Sequence, residues 1–288
     1  MERQRETARG AGGGKRFAQA GSRGVAAFFL LTFAWTWLLQ APAAAAACGW
    51  IPGGTSRYVG LGAFGIFGPT LVATVLTARE GGRAAVVELY ARFLRWRVPL
   101  RYYLLGLVAP GLGLSALLWL LRLAGRDGPI AYLPSAPQIV VALIVAFGEE
   151  VGWRGFALPR LSERFGSFAA SGIIGVVWML WHIPMFVAAG VPLSLLVVMV
   201  LYFTGGSFLF TWLYEGSGGS LLIAFLAHVG AHLDNSHRAL PSDVLPLVVH
   251  AIVYGVLGFA LMRSSALAAF ALPRQNRAYS ERAVRAER

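Results

Sequence analysis

Charge is what this sequence has least of. Asp, Glu, Lys and Arg make up 13% of its 288 residues, against roughly a quarter in an average soluble domain. Hydrophobic residues make up 57%, and the mean hydropathy is +0.63. A water-soluble globular fold is excluded, and so are disordered and coiled-coil architectures. A single cysteine, Cys48, rules out an internal disulfide and any Cys-rich metal site. The chain also lacks HExxH, a P-loop, a GxSxG followed by Asp and His, and paired aspartates in two apolar runs. Each of those chemistries is missing its reacting group. The net charge of +12 would point to nucleic acid in a soluble protein. Here the basic residues sit between apolar runs, so membrane orientation explains them and no nucleic-acid partner is expected.

What is present is a series of long uncharged runs. A spanning helix needs about 20 apolar residues to cross a hydrocarbon core of roughly 30 Å. Segments 24–56, 58–78, 102–121, 128–148, 216–233 and 244–262 contain no Asp, Glu, Lys or Arg. A seventh run, 166–214, is 49 residues long. As one helix it would reach about 73 Å at ~1.5 Å per residue, so it must fold back, and Gly190-Val191-Pro192 is the break. The expected fold is all-α: a polytopic membrane bundle of about eight helices. Lipid offers backbone polar groups no partner, and no barrel-type alternation is present.

The basic residues test this layout. With the N-terminus cytoplasmic, segments 1–23, 79–101, 160–165, 215–219 and 263–288 lie inside and hold 20 of the 25 Lys and Arg. Only Arg57, Arg122, Arg126 and Arg238 fall outside, and Arg154 lies within a span. That bias places both termini in the cytoplasm and the protein in the cell membrane as a multi-pass chain. The basic, Gly-rich stretch 1–23 is a tail ahead of a membrane domain at 24–263, and 264–288 is a second basic tail. Segment Ala84–Val98 puts Glu88, Arg92 and Arg95 on one helical face, as in a helix lying at the bilayer surface.

The informative residues are the polar ones inside apolar runs. Glu149 and Glu150 follow the run Ile139–Phe147, and Arg154 comes one turn after Glu150. Each such charge costs about 2.5–3.5 kcal/mol near the membrane centre. Glu150 and Arg154 can neutralise each other at i, i+4. Glu149 lies about 100° round the helix and is left without a local partner, which marks it as a functional-site candidate. His182 lies on another span, and His228 and His232 lie one turn apart on a third. Glu and His brought together from separate helices form either a metal site or an acid–base pair. His237 and His250 read as a loop residue and a lone packing residue.

Taken in order, these residues form a recognisable pattern. Glu149-Glu150-Val-Gly-Trp-Arg154-Gly155 resembles the EExxxRG motif of the CPBP intramembrane proteases, which include the type II CAAX prenyl endopeptidases and bacteriocin-processing or self-immunity proteins. Trp178-Met-Leu-Trp-His182 is similar to the family's FxxxH motif, with Trp in place of the usual Phe. His228-Val-Gly-Ala-His232 is similar to its HxxxN motif, with His in place of Asn. Segment Arg95–Tyr103 is also similar to the stretch before the family's third span. The motifs cover about residues 137–235, the protease-like core.

The resemblance implies intramembrane hydrolysis of peptide bonds in membrane-associated substrates, prenylated ones included. Glu149 would activate water and His182 would assist or ligate. His228 would ligate a metal or stabilise the oxyanion, His232 would replace the family's Asn, and Glu150 would position Arg154. Two routes stay open. Glu149, His182 and His228, with His232 as a further ligand, could hold Zn²⁺ and an activated water. Alternatively the Glu–His pair works without metal, with an imidazole donor on the oxyanion. Asn235, three residues beyond His232, could supply the missing amide. The competing reading is a non-catalytic membrane scaffold or bacteriocin self-immunity protein. A proton-coupled transporter is disfavoured because no internal repeat is present.

Overall fold

A computed structural model describes residues 2–108, 110, 122–125, 135–233 and 245–264, with side chains from Gly24 onward except at residues 193 and 245–247. The described residues are helical, without a strand. In chain order the helices are α1 (Glu2–Ala47), α2 (Val59–Gly65), α3 (Gly68–Ala91) and α4 (Leu100–Leu107). Next come α5 (Ala136–Glu150), a π-helical segment Val151–Ala157, α6 (Leu158–Trp181) and α7 (Ile183–Ala188). The series ends with α8 (Leu196–Gly216), α9 (Leu221–His232) and α10 (Leu245–Arg263). Among the described residues, four stretches are long and apolar enough to cross a bilayer: Gly24–Ala47, Val59–Leu94, Ala136–Ala188 and Leu196–Gly216. The chain is a multi-pass membrane helix bundle.

Its polarity is arranged for lipid. Leu30, Leu38, Val197 and Val256 are exposed, whereas Thr32, Thr36 and Gln40 of α1 are buried. These three repeat at i, i+4, i+8 and so share one face. Thr36 Oγ1 donates to the Gly65 carbonyl at 2.7 Å. With no water available in the bilayer, such polar groups turn toward protein.

The 53-residue stretch Ala136–Ala188 is turned at Gly166, whose φ of 75° an L-residue side chain would oppose. The turn falls beside the inside segment expected at 160–165. The second expected break, Gly190-Val191-Pro192, separates α7 from α8. Within the predicted third span, residue 109 and residues 111–121 lie outside the described residues, as does the tail 265–288.

The surface helix expected at 84–98 is the end of α3 followed by a 3-10 turn, Arg92–Leu94, beyond a kink at Gly82. Leu94 and Trp96 are exposed there. Its arginines also reach inward. Arg92 donates to the Gly155 carbonyl at 2.9 Å, and Arg95 donates to the Gly218 carbonyl at 2.9 Å. The segment therefore clasps the π-helical segment and the turn between α8 and α9.

Helix α8 is the central post, buried at Met199, Phe203 and continuously from Gly205 to Tyr214. It packs most extensively on α10 and α6. The α10 contact depends on close backbone approach: a Cβ on Gly205 would stand 2.7 Å from the Gly255 Cα. Small residues at such crossings are how helices associate in lipid. Gly205→Val should force α10 off α8 and cost about 1–3 kcal/mol, as overpacking does. Thermal unfolding of the detergent-solubilised protein reads this, and an unchanged midpoint would refute the close-packing account.

Candidate active site

Three local features bring the polar residues together. Helix α5 starts at a capping box in which Gln138 Oε1 accepts from the Ser135 N–H at 2.7 Å. It ends on Glu149 and Glu150, both buried. The chain then continues as a π turn that buries all seven of its residues. Gly152 lets that turn lie against Pro69 of α3, where a Cβ would come within 2.7 Å of the Pro69 carbonyl carbon. Widened turns of this kind recur at functional sites because they re-aim side chains. On α6 the buried stripe Ser171, Ile174, Gly175 and Trp178 faces the core and sets His182 at the helix end. On α9 the stripe Leu221, Ala224 and His228 does the same, with Ser220 as N-cap.

Glu150 is the hub. Its Oε1 accepts from Arg154 Nη1 at 2.9 Å and lies 2.7 Å from His228 Nδ1. The pairing with Arg154 is the one its spacing predicts. The His228 contact joins α5 to α9 and is not legible from spacing alone. A carboxylate can only accept, so His228 carries its proton on Nδ1 and presents Nε2 to the other side. That Nε2 lies 3.2 Å from His232 Nε2. Arg154 lies over the rings of Trp178 and Phe210, at 5.1 and 5.0 Å. Its Nε and Nη2 find no hydrogen-bond partner among the described residues, nor does Glu150 Oε2.

Glu149 is not the orphan its sequence position suggests. Its Oε2 accepts from Trp153 Nε1 at 3.2 Å and from Trp178 Nε1 at 2.5 Å. Trp153 is one turn along the same helical stretch, and Trp178 comes from α6. A tryptophan one turn after an intramembrane carboxylate is the signal that could have revealed the first contact. Trp153 is fixed in turn by Phe28 of α1, edge-on at 5.6 Å and 85°. His182 Nδ1 lies 2.8 Å from the Trp178 carbonyl, which can only accept. The proton is therefore on Nδ1, and Nε2 is left as an acceptor.

A cavity of about 260 Å³ lies among these groups. Trp178, His182, His228 and His232 line it, together with His250 and Tyr254 of α10. Glu149 is absent from its lining and sits behind the Trp178 indole. His250, which the sequence reads as a lone packing residue, is buried and belongs to the cavity wall. Asn235 and His237 lie outside the described residues. Among the described residues, no three His, Cys, Asp or Glu side chains are placed to hold one metal ion. The set Glu149, His182 and His228 is thus not gathered into one coordination sphere, since Glu149 is engaged by two indoles and His228 Nδ1 by Glu150.

Fold and site together define a class: a multi-pass membrane protein in which imidazoles from α6, α9 and α10 line one cavity, while two buried carboxylates at the end of α5 bond to Trp178 and His228 of its wall. Residues 132–234 match the family model described as type II CAAX prenyl endopeptidase Rce1-like. The chain is also similar to CAAX prenyl protease 2 of Methanococcus maripaludis, 24% identical over 264 residues, covering 78% of this chain and 92% of that protein. Both likenesses support the CPBP family of membrane proteases as the one this chain resembles. That likeness supports intramembrane endopeptidase activity.

Proposed function

We propose that this chain hydrolyses peptide bonds of membrane-associated substrates through a water activated by Glu149. The observation that carries the reading is the fixed carboxylate: two indole N–H groups occupy Glu149 Oε2, so Oε1 is the atom left to take a proton. Water attacks the scissile carbonyl carbon as Glu149 takes its proton. The carbonyl π electrons move to oxygen, and the resulting oxyanion takes the N–H shared between His228 and His232 in place of their mutual contact. When the C–N bond breaks, the proton held by Glu149 passes to the leaving amine, with the unprotonated Nε2 of His182 as relay. Glu150 sets the His228 tautomer, as a carboxylate behind a working histidine does. The name of the Methanococcus maripaludis relative makes prenylated peptides the substrate class to test first.

The decisive comparison is of peptide termini in host membranes containing wild-type protein, no protein, or Glu149→Gln at matched levels. Termini seen only with wild type would establish cleavage and name the substrate. Identical profiles, with a deletion phenotype rescued by both forms, would leave the scaffold or immunity reading in its place.

Trp178 provides a separate check. Phe is the usual residue at its motif position, so Trp178→Phe should fold while losing one donor to the base. A hydrogen bond to a charged group contributes about 1.5–3 kcal/mol. If half of that reaches the transition state, kcat should fall about four- to thirteen-fold at constant KM. Unchanged kcat would show that the indole N–H plays no part in holding the base.

A further inference from the structure

The departure at position 232 changes what this cavity can bind. His228 and His232 sit at i, i+4 on α9, with Nε2 atoms 3.2 Å apart and rings nearly parallel at 10°. The ring centroids are 5.0 Å apart, closer than two imidazoles joined head-on along one N–H···N line would be. The contact is bent, so the two Nε2 lone-pair directions can converge on one point between the rings. With Zn–N bonds of about 2.05 Å, a 3.2 Å separation corresponds to an N–Zn–N angle of about 103°, close to tetrahedral. His228 is already prepared for ligation. Its Nδ1 is held by Glu150 Oε1 at 2.7 Å, the carboxylate–histidine arrangement that orients a metal-binding imidazole and raises its basicity. His228 is buried, His232 is exposed, and both line the cavity, so an ion has a route to the pair.

We propose that the His228–His232 pair is a binding site for a borderline divalent cation of the zinc type. Two imidazoles supply the protein ligands. The remaining positions are open to water or to a carbonyl or carboxylate oxygen of a bound peptide. Asn, the residue usual at position 232, cannot complete this pair, because an amide is a poor ligand for zinc-type ions beside imidazole. The site therefore belongs to this chain's own substitution. An ion seated there takes both Nε2 lone pairs and withdraws the N–H that the proposed mechanism offers to the oxyanion. Zinc occupancy and metal-free turnover would then exclude each other.

The test is zinc binding itself, so that it stands apart from the proteolytic reading. Full-length protein without an oligohistidine tag, carrying Glu149→Gln, is titrated with zinc chloride in detergent micelles by calorimetry. The expected result is one ion per chain at micromolar Kd, weakened at least ten-fold in Glu149→Gln/His232→Asn. Tetrahedral cobalt absorption should appear in the first protein and not in the second. Because His232 is exposed and Asn is usual at its position, the double variant should melt where the single one does. Absence of binding, or equal affinity in the two proteins, would overturn the proposal.

Discussion

Glu149→Gln is expected to reduce kcat by about 10³-fold while the protein accumulates in membranes at its normal level. The Gln side-chain carbonyl can still accept from Trp153 and Trp178, so the local structure survives. What is lost is the ability to take a proton from water, and general-base groups contribute about 10²–10⁴-fold. The variant also relieves the cost of burying a charge, so its thermal midpoint should not fall. Steady-state kinetics on a cleaved peptide, together with thermal unfolding in detergent, separate the two effects. Retention of more than a tenth of wild-type kcat would remove Glu149 from the role of base.

Arg154→Met is expected to damage the fold rather than the chemistry. Arg154 and Glu150 are both fully buried, and they pair at 2.9 Å. Removing the guanidinium leaves the Glu150 carboxylate with His228 alone. Breaking a buried pair from one side costs about 3–5 kcal/mol, because the remaining charge stays uncompensated. It also removes the cation that rests on the Trp178 face and steadies the indole that holds Glu149. Membrane abundance and melting temperature should both drop sharply. Adding Glu150→Gln should restore much of the stability, since no full charge is then stranded. It should not restore turnover, because His228 loses the carboxylate that fixes its tautomer. If Arg154→Met alone melted like the wild type, the pair would have to be a minor contributor to the fold.

The bundle and its chemistry were legible in the sequence to different depths. Spanning helices could be read because lipid forces long uncharged runs. The reversal within 166–214 could be read because no single helix that long fits a bilayer. The pairing of Glu150 with Arg154 could be read because one helical turn separates them. Other contacts could not, because they join residues far apart in the chain. Trp178 reaches Glu149 across 29 residues, and His228 reaches Glu150 across 78. Helical periodicity gives each residue a face but does not say which face of which helix it meets. His250 was passed over for the same reason: a single histidine on an apolar helix carries no pattern. Only the packing of α10 on α8 brings it to the cavity.

The order in which the walls of the cavity are made also bears on when it can work. Tyr254 and His250, on α10, are the last cavity-lining residues to leave the ribosome, after every residue of the three motifs. Phe28, which steadies Trp153 and through it Glu149, is among the first to enter the membrane. A growing chain therefore carries all its reacting groups for some time without an enclosed place to use them. On the proposed reading, the hydrolytic centre is completed only when synthesis of α10 brings His250 and Tyr254 onto α8. On that same reading, a chain stopped before α10 would be an open, inert intermediate rather than a smaller protease, and neighbouring proteins emerging into the same membrane would be spared premature cleavage.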